Sequence, residues 1–216
     1  MSDPIAFAAM RSLLAARPSR PPRSGGAIAT GVAGIDAALG GGLPRGRVTE
    51  LISAAAGSGG ELVFASLLAG TRQARMRVAL VDAADGFAPK SFRPDLLRHL
   101  LWVRARSLAE AMACADVLVR DGNYGVLVLD VRGIPARALR QQPNGIWHRL
   151  RLAAEQHPAA VLVQSSAAVV RSAPWRLVLR EPAALAALRR PRAERAAALA
   201  PELERGQGGG IEARMA

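Results

Sequence analysis

Residues 28–62, IATGVAGIDAALGGGLPRGRVTELISAAAGSGGEL, decide the fold of this chain. They contain a Gly-rich turn region, an apolar strand at 48–52, a Gly/Ser-rich loop at 53–60 and the start of an apolar helix near Glu61. A strand, a glycine-rich loop and a helix in this order bind phosphate groups elsewhere, because the loop and the helix start present backbone N–H groups. The segment therefore predicts a phosphate loop within an α/β fold.

The predicted phosphate loop lacks the residues that act on a nucleotide. A working loop reads G-x-x-x-x-G-K-[ST], in which the Lys reaches the terminal phosphates and the hydroxyl holds Mg²⁺. Those two places fall on Gly59 and Gly60 or, one residue later, on Gly60 and Glu61, and neither alignment supplies a cation. We therefore expect no cofactor and no bound metal. The degenerate loop comprises Ser53, Gly57, Ser58, Gly59, Gly60 and Glu61.

Strands and helices alternate through residue 181. The runs RVALVD, YGVLVLD and AAVLVQ are almost continuously apolar, which is typical of parallel strands covered on both faces. The pattern predicts a parallel sheet with a mixed edge and helices on both faces. Predicted strands lie at 48–52, 77–82, 101–104, 125–130, 160–164 and 175–180, and predicted helices at 61–75, 107–120 and 145–156.

The two ends of the chain differ from this core, which spans 28–181. Residues 1–17 predict an amphipathic N-terminal helix, and 18–27 read as a Pro/Arg linker. Residues 182–216 are rich in Arg and Ala, and predict a helical start at 183–190 followed by a basic, mostly disordered tail. The apolar residues of the N-terminal helix are the candidate partner contacts Ile5, Phe7, Leu13 and Leu14.

The charge of the chain favours an anionic partner. The formal net charge is +12 over 216 residues, and Lys90 is the single lysine among 29 basic residues. An excess of this size is typical of proteins that bind nucleic acid or an acidic protein surface. No apolar run reaches the length of a membrane span, and the single cysteine, Cys114, fits a reduced cytoplasm, so we expect a cytoplasmic protein without membrane contact.

The order of the motifs resembles that of the RecA family over about residues 28–181. TGVAGIDAALGGGLPRGRVTEL resembles the opening of the RecA ATP-binding core, VALVDAADGFAP its second strand and catalytic loop, YGVLVLD the Walker B strand and AAVLVQ the sensor strand. The compact length, the degenerate loop and the Arg-rich tail are similar to the ImuA family of bacterial mutagenesis cassettes.

The resemblance implies a protein that is not an enzyme. Asp130 matches the Walker B aspartate and Gln164 the glutamine that senses the terminal phosphate. Ala84 stands where the family has its catalytic glutamate, so this position has no carboxylate to polarise water. Loss of the loop lysine and of this glutamate implies that Asp130 and Gln164 are relics.

The resemblance also implies roles in the DNA damage response and translesion synthesis. Its implied partners are RecA, the inactive Y-family polymerase ImuB, an error-prone polymerase and single-stranded DNA. The N-terminal helix would dock on RecA or on the protein's own core. The second DNA loop of the family corresponds to 165–174, which looks too short to grip DNA. Candidate contacts are Arg132, Arg137 and Arg140 in the first DNA loop (131–145) and Arg189, Arg190, Arg192 and Arg195 in the tail.

Two other functions stay open on the sequence. One is a SulA-like inhibitor of cell division, which would bind the division GTPase and would not need the basic charge. The other is a true ATPase in which Arg45 or Arg47 replaces the missing lysine.

Overall fold

A computed structural model describes residues 26–205 of the chain. The N-terminal helix predicted for 1–17, with Ile5, Phe7, Leu13 and Leu14, lies outside the described residues, and so does the end of the tail, 206–216. The described strands are β1 (Ala27–Ile28), β2 (Leu43–Pro44), β3 (Val48–Ser53), β4 (Val78–Asp82), β5 (Leu100–Arg104), β6 (Val126–Asp130), β7 (Ala160–Ser165), β8 (Trp175–Leu179) and β9 (Glu202–Arg205).

Helices connect most of these strands. Two short 3-10 helices, Pro89–Ser91 and Leu185–Arg189, supplement the α-helices. The α-helices are α1 (Ala33–Ala38), α2 (Gly60–Gln73), α3 (Pro94–Leu97), α4 (Leu108–Asp121), α5 (Ala136–Arg140), α6 (Asn144–Gln156) and α7 (Arg192–Ala197).

Seven strands form one sheet in the order β5-β4-β6-β7-β3-β8-β9, and β1 and β2 form a separate antiparallel pair. Neighbouring strands from β5 to β8 are parallel, and β9 is antiparallel to β8 at the edge. The predicted α/β fold with a parallel, mixed-edge sheet is therefore confirmed. The buried residues of β3, β4, β6 and β7 explain the apolar runs, because helices cover both faces of these strands.

Each face of the sheet has its own apolar core. On one face α4 and α6 pack on the sheet with Leu118, Trp147 and Leu150, and on the other α2 packs with Phe64 and Leu67. Ala196 of α7 joins the second core and is 3% exposed. The tail helix is thus part of the folded body, on the same face as α2.

The six strands predicted for the core all exist, with bounds that agree within one residue. Helix α2 stops at Gln73, short of the predicted Arg75, because Arg75 has a left-handed φ of 52° that ends a helix. The helical start predicted at 183–190 coincides with the 3-10 helix Leu185–Arg189, but the disorder predicted after it is wrong for 191–205, since this segment forms α7 and β9. Apolar packing of α7 and the β8–β9 hydrogen bonds order it.

Candidate functional site at the carboxyl edge of the sheet

The degenerate phosphate loop lies where a crevice opens beyond the carboxyl ends of the parallel strands, the usual ligand position of open α/β sheets. It joins β3 to α2, and left-handed φ angles of 81° at Gly57 and 111° at Gly59 give it a path that side chains rarely adopt. The loop borders a cavity of about 650 Å³. The cavity is lined by the loop and by Asp82, Ala84, Phe92, Asp130, Arg132, Arg192 and Arg195.

The Arg132 guanidinium lies where the Cβ atom of a larger residue at position 60, the first residue of α2, would lie. A Cβ atom added at Gly60 would lie 2.7 Å from Arg132 Nη1 and 2.5 Å from Ser53 Oγ. Real Cβ atoms essentially never approach other atoms so closely. A lysine at position 60 is therefore incompatible with the observed place of Arg132.

The Arg132 guanidinium is held by two carboxylates. Its Nε donates to Asp130 Oδ1 at 2.9 Å, and its Nη2 contacts Asp130 Oδ2 and Glu61 Oε1. Burial disfavours the charged form of Arg132, but hydrogen bonds and attraction from Asp130, and then from Glu61, outweigh this and raise its pKa. Arg132 thus stays a cation that neutralises negative charge at the loop. The ion pair turns Arg132 into the crevice, which argues against the predicted contact with DNA.

A Mg²⁺-bound nucleotide does not fit this set of residues. Such a site needs a lysine and a hydroxyl at the loop and a free Walker B carboxylate. Here Gly59, Gly60 and Glu61 supply neither the lysine nor the hydroxyl, and Asp130 already binds Arg132. Among residues 26–205, no group of three or more His, Cys, Asp or Glu side chains could hold a metal ion.

The loop that follows β4 is built by Asp82. Its carboxylate accepts N–H groups from Ala84 at 3.3 Å, Gly86 at 3.0 Å and Phe87 at 2.9 Å, and the indole N–H of Trp102 at 3.3 Å. Ala84 lines the cavity, where its methyl group offers no proton acceptor. The structure therefore places Ala84 beside the phosphate loop, at the position where the sequence predicted a lost catalytic group.

Gln164, the residue before the last of β7, lies inside the protein and is 1% exposed. Its Nε2 donates to the carbonyl of Gly60 at 3.1 Å, so it joins the sensor strand to the first residue of α2. Asp130, Arg132, Gln164 and the phosphate loop are thus brought together, as the predicted motif order requires.

Sequence reasoning missed a buried charge in β3. Glu50 is fully buried, and its Oε2 accepts from Arg176 Nε of β8 at 2.7 Å. Its Oε1 accepts from the backbone N–H groups of Val169 at 2.8 Å and Val170 at 3.0 Å. A glutamate in the middle of the strand predicted at 48–52 was the available signal. The contacts tie down the loop after β7, which corresponds to the second DNA loop of the resemblance.

The tail contributes to the site, which the sequence did not predict. Arg192 and Arg195 of α7 line the cavity, and the Arg192 Cζ atom lies 5.2 Å from the centroid of the Phe92 ring. Arg189 and Arg190 are exposed, and Arg190 lines a second cavity, of about 250 Å³, between the loop and the tail. Three of the four tail arginines therefore border the cavities beside the phosphate loop.

Two of the three predicted arginines of the first DNA loop face solvent. Arg137 and Arg140 are exposed on α5, three residues apart and therefore on one side of the helix. They remain available to an anionic partner, in contrast to Arg132.

Arg45 and Arg47 do not replace the loop lysine. Both precede β3, whereas the phosphate loop follows it, so the length of the strand separates them from the loop. Arg47 pairs with Glu155 at 3.3 Å, and Arg45 Nη1 donates to the carbonyl of Pro158 at 3.4 Å. The prediction of a substitute cation at these positions was wrong, because they lie at the amino edge of the sheet.

Comparison with known proteins finds RecA proteins from several bacteria. The chain is 32% identical over 154 residues to RecA of Thermus aquaticus, which covers 66% of this chain and 44% of that protein. It is 38% identical over 106 residues to RecA of Rhodospirillum rubrum, covering 48% of this chain and 29% of that protein. RecA of Gluconobacter oxydans is 35% identical over 133 residues, 60% of this chain and 38% of that protein.

The chain has a RecA-like core. The matched stretches reach identities above 30%, and the mostly parallel α/β sheet found here is consistent with such a core. The chain spans less than half the length of these RecA relatives. No protein-family model matches it. Within residues 26–205, the structure contains no helix with the length and apolar character that crossing a bilayer requires.

Proposed function

We propose that this protein is a RecA-like accessory factor of the DNA damage response that acts by binding and does not hydrolyse ATP. The observation that carries the proposal is the Arg132 ion pair with Asp130 and Glu61 at the phosphate loop. The Arg132 guanidinium lies where the lysine would lie, and the Asp130 carboxylate is paired with it and so is not free to hold Mg²⁺. Ala84 stands at the position of the catalytic glutamate and has no carboxylate that could activate water, which supports the proposal further.

The proposed partners are RecA, the inactive Y-family polymerase ImuB, an error-prone polymerase and single-stranded DNA. The similarity to RecA supports a DNA-related role, and the net charge of +12 supports an anionic partner. Exposed arginines on α5 and in the tail supply candidate contacts. The short loop after β7, fixed by Glu50, argues against gripping DNA as a filament subunit does.

Hydrolysis is tested first, with the purified full-length chain, Mg²⁺-ATP and single-stranded DNA. We expect release of phosphate at the rate of the protein-free reaction, and the same rate for Asp130→Ala. Turnover that exceeds this rate and disappears in Asp130→Ala would refute the catalytically inactive reading.

Partners are tested by capture of purified RecA, ImuB-type polymerase, error-prone polymerase and the division GTPase, with and without single-stranded DNA. Deletion of 1–24 tests the N-terminal segment, and the charge reversals Arg189→Glu and Arg190→Glu test the exposed arginines of the tail. Arg98→Glu, at the amino edge of the sheet, is the control for a general change of charge. Capture of RecA or a polymerase supports the proposal, and capture of the division GTPase alone would favour a division inhibitor instead.

A further inference from the structure

Beside the phosphate loop, Ser58 and Arg195 each have a buried donor without an acceptor among the described residues, and so does the Ser53 hydroxyl at the end of β3. Ser58 is 2% exposed, and its hydroxyl has no hydrogen-bond partner within the described residues. The Nε–H of Arg195 is buried and also lacks an acceptor there. Unpaired buried donors are costly, and a guanidinium can be satisfied by acceptors alone. These two residues therefore indicate a ligand that accepts hydrogen bonds.

Both residues stand at the junction of two cavities. The cavity of about 650 Å³ and a smaller one of about 250 Å³, between the loop and the tail, are each lined by Ser58 and Arg195. Glu194 lines the smaller cavity and is the carboxylate nearest in sequence. Among the described residues no carboxylate lies within 4.0 Å of a nitrogen of Arg192 or Arg195, so no ion pair satisfies these two cations.

The other charges of the larger cavity are already balanced. Asp82 accepts backbone N–H groups and the Trp102 indole, while Asp130 and Glu61 bind Arg132. The arginines of α7 are what remains to attract an anion. Helix α2 adds to this attraction, because its 14 residues begin at Gly60 without a side-chain cap and the positive end of its dipole lies at the loop.

We propose that Ser58, Arg195 and the start of α2 bind a phosphate group without a metal ion, with Arg192 at the rim. A phosphate carries several acceptor oxygens and negative charge, and glycine-rich loops at helix starts suit its shape. The cation comes from the tail, in place of the lysine and Mg²⁺ of a nucleotide site. The site recognises the phosphate group itself and makes no use of a base or a sugar. This inference goes beyond the proposed function, which requires no ligand here.

The test is calorimetric titration of the full-length chain, in excess EDTA, with inorganic phosphate, inorganic pyrophosphate and ADP as separate probes. We expect pyrophosphate to bind and ADP to bind no more tightly. Arg195→Ala and Ser58→Ala should each weaken pyrophosphate binding, by roughly ten-fold for the charged group and less for the hydroxyl. Arg98→Ala removes an equal charge at the opposite edge of the sheet and should leave binding unchanged.

Ser58→Ala keeps the proposal testable if Arg195→Ala disturbs the tail. The Ser58 hydroxyl bonds nothing in the described structure, so its removal should leave the unfolding temperature unchanged without ligand and reduce the rise caused by pyrophosphate. Absence of pyrophosphate binding, or equal binding by all variants, would overturn the proposal. Binding of ADP that needs Mg²⁺ and disappears in Asp130→Ala would overturn it in favour of an ordinary nucleotide site.

Discussion

At the phosphate loop, where the lysine and the hydroxyl of a nucleotide site are missing, Arg132 also pairs with the Asp130 carboxylate. Arg132 follows β6 by two residues, close enough for its own backbone N–H to bond Asp130 Oδ1 at 3.1 Å while its guanidinium bonds the same carboxylate. The short connection makes the pairing local, so little chain entropy is lost in forming it. Its side chain is 21% exposed and that of Asp130 is 10% exposed, so water screens the pair weakly.

Removing this arginine should destabilise the fold. Arg132→Ala leaves Asp130 buried without its cation, and we expect the free energy of unfolding to fall by about 2 kcal/mol, below the usual range for a fully buried pair because this one is partly exposed. Urea denaturation measures the change. The control is Arg120→Ala, whose pair with Asp116 has side chains 49% and 42% exposed and should contribute below about 0.5 kcal/mol. Equal losses in the two variants would contradict this account.

The sequence alone indicated where the site lies, but not that the Arg132 side chain points into it. The missing lysine, Asp130, Gln164 and Ala84 could be found because each occupies a fixed place at the end of an apolar strand. Arg132 could not be assigned, since its spacing from Asp130 fits both a solvent-facing loop and an inward ion pair. Three-dimensional placement of the Glu61 carboxylate, 71 residues away in sequence, decides between them.

Strand β3 and the loop after β7 form one unit through Glu50. Its carboxylate bonds two consecutive backbone N–H groups and Arg176, so three chain segments meet at one buried charge. The burial of a charge is tolerated because its partners are complete. This contact fixes a loop that would otherwise be free to move at the carboxyl edge of the sheet.

Glu50→Ala should cost about 3 to 5 kcal/mol of unfolding free energy, because it leaves the Arg176 charge without its carboxylate and two backbone N–H groups without an acceptor. Glu50→Gln should cost less, since the amide oxygen still accepts hydrogen bonds. Hydrogen exchange should show loss of protection at Val169 and Val170 in the alanine variant. Protection that is unchanged there would mean that Glu50 does not hold the loop. Asp116→Ala, which removes an exposed carboxylate of α4, is the control.

The tail should be required for stability. A chain ending at residue 181 loses α7 and β9, so Leu62 and Leu179, which the tail partly covers, are exposed and β8 becomes an edge strand. At roughly 2 kcal/mol for each large apolar side chain uncovered, we expect the unfolding temperature to fall by at least about 5 °C. A chain ending at residue 205 is the reference. Equal unfolding temperatures for the two would restore the disordered-tail reading.

The contrast between the buried strands and the tail explains which elements the sequence could predict. Strands such as β6 and β7 are buried on both faces and appear as unbroken apolar runs, which few other structures produce. The tail has no such run: its order depends on Ala196 and Leu199 fitting beside α2 and the phosphate loop. The tail is rich in alanine and arginine, which also occur in segments that do not pack on a core. Its composition alone therefore predicted disorder.

Across the whole molecule, the positive charge is divided between two uses. Some arginines are paired with carboxylates of the fold, as Arg132, Arg176 and Arg180 are. Others, including Arg137 and Arg140 on α5, are exposed at the carboxyl edge of the sheet. Net charge alone therefore overstates the cations that a partner can reach, and exposure identifies which ones to test.

If Arg137 and Arg140 contact DNA, binding of single-stranded DNA should weaken steeply as salt rises, because each phosphate contact releases bound counterions. The slope of log K against log salt should become less negative by about 0.7 for each contact removed, or about 1.4 for Arg137→Ala combined with Arg140→Ala. Fluorescence anisotropy between low and moderate salt measures it. Arg98→Ala, at the amino edge, should leave the slope unchanged, because it stands at the opposite edge from α5. A slope near zero in the unmodified protein would exclude electrostatic DNA binding, and an equal change in Arg98→Ala would show that the charge acts without a defined contact surface.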